Sequence, residues 1–168
     1  DNINGFSNRD KYRVRWYDNI KNSEVFFEKK KKINQATQKT KISLGKFKNH
    51  EDLNNFLKSK DFVNSILKIT TLNLTQVLTV SYDRDYYIDN KNKLRITFDE
   101  NIKTHQNFEG NFFKNLANIN NNILEFKYLL EDSNYVRQKI CNLNFNLRNQ
   151  KFSKYVQSFL ILNEMGHN

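Results

Sequence analysis

Strict alternation of charged and apolar residues is the feature that most limits how this chain can fold. In Lys11–Tyr17 (KYRVRWY), Lys11, Arg13 and Arg15 alternate with Tyr12, Val14 and Trp16. In Lys93–Asp99 (KLRITFD), Lys93, Arg95, Thr97 and Asp99 alternate with Leu94, Ile96 and Phe98. In Ile123–Leu129, Glu125 and Lys127 alternate with Leu124, Phe126 and Tyr128. Successive side chains of a strand point to opposite faces, so each segment predicts a charged row backed by an apolar row. Strands of this kind laid side by side make a sheet with one apolar face and one face dense in guanidinium and ammonium groups.

The rest of the chain supplies partners for these strands. Residues 10–18 and 23–33 read as an antiparallel pair joined by the turn-prone Asp18–Ser23, and Gln38–Leu44 as a third strand with Lys39, Lys41 and Ser43 on one face. The period then changes. Leu53, Phe56 and Leu57 recur at helical spacing in His50–Ser59, and a second short helix is predicted near Asp61–Lys68. Period two returns at Gln76–Ile88, where Leu78, Val80, Tyr82 and Arg84 share a face; a bulge or strand end near Asp83 would resolve the mismatch of Arg84 with its apolar neighbours. Strands at Leu94–Asp99 and Ile123–Leu129 follow, separated by a polar loop from about Thr104 to Asn122, and the chain closes with helices at Ser133–Leu143 and Phe152–Leu162. Three strands, two helices, three strands and two helices predict one mainly antiparallel α+β domain, and 168 residues are enough to bury a core.

A formal charge of +10 favours an anionic partner: nucleic acid, nucleotide, polyphosphate or an acidic membrane surface. Taken singly, Arg13 and Arg15, the run Phe27–Lys32 with Glu28 and Lys30 on one face, Arg84 with Arg95, and Glu125 with Lys127 are ordinary solvated surface. Together they repeat one arrangement, cations opposite the apolar face, with few facing acids, chiefly Glu28, Asp99 and Glu125. Arginine forks bind phosphate oxygens through paired hydrogen bonds, lysine acts as a mobile point charge, and a hard divalent ion takes a carboxylate plus phosphate oxygens and water. The single cysteine, Cys141, allows no disulfide within the chain, is expected to be a buried thiol, and suggests a reducing, cytoplasmic location. No run approaches the ~20 apolar residues of a membrane span. The first residues carry no signal-peptide pattern and no initiator methionine, so the chain is expected to be a fragment of a longer polypeptide.

In order along the chain, KYRVRWY, FFEKKKKI, YDR with KLRITFD, ILEFKY and KFSKY resemble the VTC (vacuolar transporter chaperone) domain. That family comprises polyphosphate polymerases of the triphosphate tunnel metalloenzyme superfamily, and the resemblance runs from about Asn8 to Val156. It implies an antiparallel β-barrel, a CYTH-like tunnel with charged side chains inward and helices outside. The family's first strand and a tyrosine–phenylalanine–aspartate segment have no counterpart here, so the tunnel is expected to be incomplete. By resemblance, Arg13, Arg15, Arg84 and Arg95 bind phosphate, and Lys30 with one of Lys39 or Lys41 are tunnel lysines. Glu125 resembles the metal ligand for Mn²⁺ or Mg²⁺. Lys151, Ser153 and Lys154 match a basic motif at a helix start that contacts the phosphate chain. The implied activity is transfer of the ATP terminal phosphoryl group to polyphosphate, with ATP, pyrophosphate and polyphosphate as partners and any membrane tether outside this chain. The competing readings are a triphosphatase on the same scaffold and a non-catalytic polyphosphate or inositol-phosphate sensor. A nucleic-acid partner is not expected, because the predicted aromatics lie opposite the cations, whereas single-strand binders put rings and charges on one face.

Overall fold

A computed structural model of the chain describes residues 9–33, 36–108, 111–142 and 152–165. The elements in order are β1 (Arg9–Arg15), β2 (Glu24–Ile33), β3 (Ala36–Lys46), α1 (His50–Leu57), α2 (Lys60–Ile66), β4 (Leu78–Ile88), β5 (Arg95–Phe108), β6 (Asn111–Ile119), β7 (Ile123–Lys127), a 3-10 turn at Leu130–Asp132, α3 (Ser133–Cys141) and α4 (Lys154–Met165). This is an α+β chain with two antiparallel sheets, one ordered β1-β2-β3, the other β4-β5-β6 with β7 also on β5. The elements group into two compact units, the first running to Gln76 and the second taking most of the chain from Val77 onward.

In the first unit the alternation sorts side chains as predicted. Val14, Trp16 and Leu44 pack on the buried cluster Ile20, Val25, Phe47 and Leu53. Tyr12, Ile42 and Leu44 pack on Phe27, Phe62 and Ile66. The two helices cover this face because their apolar residues recur at helical spacing, and both begin on side-chain caps. Asn49 accepts from the Asp52 backbone N–H (2.8 Å), and Ser59 accepts from that of Phe62 (3.3 Å). β2 and β3 slip register at Leu44, where Gly45 takes φ +92°, a backbone state that suits glycine.

In the second unit β5 is the spine. Its buried residues Ile102, Thr104 and Asp99 alternate with more exposed ones only in part, and Leu94, Ile119 and Val136 supply the apolar burial around it. The β4–β5 ladder shifts between Ser81 and Asp83, which is the bulge expected near Asp83. Asp89 closes the turn between these strands: its carboxylate accepts from the backbone N–H groups of Lys93 (2.7 Å) and Leu94 (2.8 Å) and from the Tyr135 hydroxyl (2.6 Å). The Tyr135 hydrogen bond and those backbone donors pull its pKa down to about 2.

Two expectations are corrected. The stretch from Thr104 to Asn122, expected as a polar loop, holds the end of β5 to Phe108 and β6 at Asn111–Ile119. Polar burial disguises the first part: Thr104 Oγ1 donates to Ser158 Oγ on α4 (2.7 Å, both buried), and His105 Nε2 meets Ser81 Oγ at 2.9 Å. Cys141, at the end of α3, is exposed rather than buried. Among the described residues no helix is long and apolar enough to cross a membrane.

Leu53 is fully buried beneath β1 and β2. Truncation to alanine should therefore cost about 2–5 kcal/mol in urea unfolding. An unchanged midpoint would show that this cluster does not hold the first unit together.

Candidate functional site

Register places three rows of side chains on the face of the first sheet opposite its apolar core. Lys11, Lys30 and Lys39 share one rung, Arg13, Glu28 and Lys41 the next, and Arg15, Phe26 and Ser43 the third. Five of the residues expected to bind phosphate, Arg13, Arg15, Lys30, Lys39 and Lys41, therefore meet on one face, and both candidate lysines of β3 are on it. Glu28 is the hub. It is 2% exposed, and its carboxylate accepts from Arg13 (Nε 2.7 Å, Nη2 2.6 Å), Arg15 (3.5 Å) and Lys39 (3.1 Å). Burial opposes its ionisation, yet the hydrogen bonds from Arg13 and Lys39 outweigh burial and hold its pKa below the ordinary range. Lys41 stands 3.4 Å over the Phe26 ring, a cation–π contact on the charged side of the sheet.

The second sheet repeats the device. Here Arg84, Asp99 and Ile123 share a rung, then Tyr86, Thr97 and Glu125, then Ile88, Arg95 and Lys127. Asp99 is 0% exposed. Arg84 binds it with two nitrogens, Nε to Oδ1 at 2.5 Å and Nη2 to Oδ2 at 2.6 Å, and Lys154 Nζ closes on Oδ2 as well. Desolvation would raise the Asp99 pKa, but Arg84 and Lys154 together lower it; the Arg84 pKa is raised in return, first by the Asp99 hydrogen bond. Tyr82 flanks both cations, with Lys154 Nζ 4.6 Å and Arg84 Cζ 5.0 Å from its ring centre.

Arg84 and Arg95 share this face, two rungs apart, or roughly 13 Å along the strand at ~3.4 Å per residue. Arg95 and Lys127 are exposed. Glu125 is half exposed; Lys127 pairs with it at 3.2 Å and the Thr97 hydroxyl donates to it at 3.5 Å. Lys93 precedes β5 and pairs instead with Asp132 (2.7 Å). At the head of α4, Ser153 Oγ accepts from the Val156 backbone N–H (3.5 Å), so the serine caps the helix that delivers Lys154 to Asp99. Lys151 lies outside the described residues.

Glu28 and Asp99 were visible as facing acids and Tyr82 as sharing the face of Arg84, but the hub roles of the two acids were not, and neither were the rings of Phe26 and Tyr86 on the cationic face. Phe26, Tyr82 and Tyr86 break the simple division of aromatics on one side and cations on the other. The donor set around Glu125 fits a divalent ion that brings most of its oxygens with it. A half-exposed carboxylate with a hydroxyl beside it suits an ion shared with phosphate and water rather than one caged by protein. No group of three or more His, Cys, Asp or Glu converges among the described residues.

Two antiparallel sheets, each with cations gathered around one buried carboxylate, define an α+β protein whose charged faces suit anions. The family model of the VTC domain matches residues 1–163. The chain belongs to the VTC-domain family. Searches among curated proteins and among solved structures gave no match.

Both hub carboxyls ionise more readily folded than unfolded. Their stabilisation is thus complete above the ordinary carboxylate range and is lost as pH falls through that range toward the lower folded pKa. Asp99→Ala, which strands two cations, should cost about 3–5 kcal/mol at pH 7. The same variant should show a shallower acid loss than wild type in urea unfolding; equal slopes would mean that the cluster does not contribute to folding.

Proposed function

We propose that this chain is a polyphosphate polymerase domain, which transfers the γ-phosphoryl group of ATP to a growing polyphosphate chain with the help of Mn²⁺ or Mg²⁺. The observation that carries the reading is the gathering of Arg13, Arg15, Lys30, Lys39 and Lys41 on one sheet face and of Arg84, Arg95, Lys127 and Lys154 in the second unit, in a chain of the VTC-domain family. The closed tunnel that the family resemblance implies is part of this proposal, as are ATP, pyrophosphate and polyphosphate as ligands and a cytoplasmic location.

Phosphoryl transfer asks little covalent chemistry of a protein; alignment and charge neutralisation supply most of the rate. A terminal oxygen of the chain attacks the γ-phosphorus, the bond to the β–γ bridging oxygen breaks, and ADP leaves with that electron pair. Arg13 and Arg15, fixed by Glu28, clamp phosphate oxygens with forks already oriented. Lys30, Lys39 and Lys41 add positive charge where the transferred group accumulates negative charge. Arg84 and Lys154, held on Asp99, keep one net positive charge at the rung beside Thr97, while Arg95 and Lys127 reach phosphates from exposed positions. Glu125 would hold the divalent ion, which supplies neutralisation of phosphate charge when bound. Ser153 sets the start of α4 and so the reach of Lys154; Lys151 would add charge just before it.

A triphosphatase would use many of the same contacts but needs a group to activate water. Of the two carboxylates on the second sheet's charged face among the described residues, Asp99 is committed to two cations and Glu125 is given to the divalent ion in this reading. Those engagements favour transfer.

Full-length protein incubated with ATP, Mn²⁺ and pyrophosphate should produce long chains on a gel. Glu125→Gln should abolish the metal-dependent rate, and Arg95→Ala should lower it at least about tenfold, as loss of a charged phosphate contact predicts. Free phosphate without chain growth would replace transfer by hydrolysis, and binding of polyphosphate without turnover would make the domain a sensor.

A further inference from the structure

The charged face of the second sheet carries a groove that a bare phosphate chain would not need. It has a volume of about 170 Å³ and its lining includes Tyr86, Ile88, Arg95, Thr97 and Lys127, together with Tyr87 and Ile96. The first five belong to two consecutive rungs of one face. Tyr86 is 65% exposed and Ile88 58% exposed, and both stand among cations at the open end of β4, whereas Leu78 and Val80 at its start are half-buried. The Tyr86 ring lies 5.8 Å from the Arg84 guanidinium carbon, beside the cluster held by Asp99.

A ring and a branched aliphatic side chain next to exposed cations call for a ligand with a flat, weakly polar part joined to phosphates. On the first sheet, by contrast, the rings beside the cations already have a cation against them, Phe26 with Lys41 at 3.4 Å and Tyr17 with Arg15 at 4.4 Å. Each of these contacts is closer than that of Tyr86 with Arg84. From this contrast, and resting on the polymerase reading above, we infer that the groove is a nucleoside subsite: the adenine of the donor nucleotide stacks on Tyr86 and contacts Ile88, and its phosphates run toward Arg95 and Lys127. One rung separates Tyr86 from Arg84 on one side and from Arg95 on the other, a spacing of roughly 7 Å that a nucleotide spans without distortion. Stacking is tolerant of base identity because every base has a π-face, so the subsite selects nucleotides over inorganic phosphates rather than one base over another.

Tyr86 is therefore a binding residue for the donor and not for the acceptor chain. Calorimetric titration of the full-length protein with ATP and with inorganic tripolyphosphate, each with Mg²⁺, separates the two. Tyr86→Ala should weaken ATP roughly tenfold or more while changing tripolyphosphate by less than about twofold. Tyr86→Phe, which keeps the ring, should retain ATP affinity, and both variants should fold because the side chain is exposed. Equal ATP affinity in wild type and Tyr86→Ala overturns the subsite, as does a parallel loss for both ligands. If wild type binds neither ligand, the polymerase reading fails, and the subsite with it. If wild type binds tripolyphosphate as tightly as ATP, with Tyr86→Ala changing neither, only the subsite falls.

Discussion

Each cation-rich face of this protein depends on one buried carboxylate that its neighbours cannot do without. Two like charges 4 Å apart repel by about 1 kcal/mol in water and about 4 kcal/mol at the effective dielectric near a protein surface. Arg13, Arg15 and Lys39 converge within 3.5 Å of the Glu28 carboxylate, so without it three cations from three successive rungs of the face would crowd one point. Asp99 does the same for Arg84 and Lys154. Neither carboxylate cancels its cluster. Three cations on Glu28 leave two positive charges, and two cations on Asp99 leave one. The residual charge is what an anion meets, and the carboxylate sets the angle from which it is presented.

Such an arrangement requires a stiff back. In the first unit the opposite face of the same strands is packed on Leu53, Phe62 and Ile66, beneath two capped helices, so the rungs that carry Arg13 and Glu28 cannot slide by one residue without burying charge and exposing Tyr12, Val14 and Phe27. In the second unit the restraint is more polar. Asp89 ties the β4–β5 turn to Tyr135, and the buried Thr104–Ser158 hydroxyl pair ties β5 to the helix that brings Lys154. Lys154 therefore reaches Asp99 through a chain of hydrogen bonds that begins at the cap on Ser153.

That difference explains what could be read from the sequence. β1, the start of β5 and β7 were legible because alternation of charged and apolar residues leaves a period-two signature. The end of β5 was not, because its buried residues Thr104 and His105 are polar, with Oγ1 and Nε2 hydrogen-bonded to Ser158 and Ser81, and so leave no apolar rhythm. The cationic residues of the faces were legible as a type and a side. Their hubs were not, since Arg13 and Glu28 lie 15 positions apart and Asp99 and Lys154 lie 55 apart. Only register brings them together. Cys141 followed an apolar helical pattern, but α3 ends there and leaves the thiol exposed.

The rings on the charged faces complete the picture. A guanidinium or ammonium held only by a carboxylate can still swing about the contact. Tyr82 limits Arg84 and Lys154, and Phe26 limits Lys41, through cation–π contacts that cost no charge and leave the outward N–H groups available. Where a ring is covered in this way it serves the protein's own cation. Tyr86 is mostly open, and its neighbour Arg95 is exposed as well, so the same residue types at that end of the sheet are positioned to receive a ligand rather than to steady a side chain. Exposure, more than residue type, separates a ring that orients a cation from a ring that can accept a base.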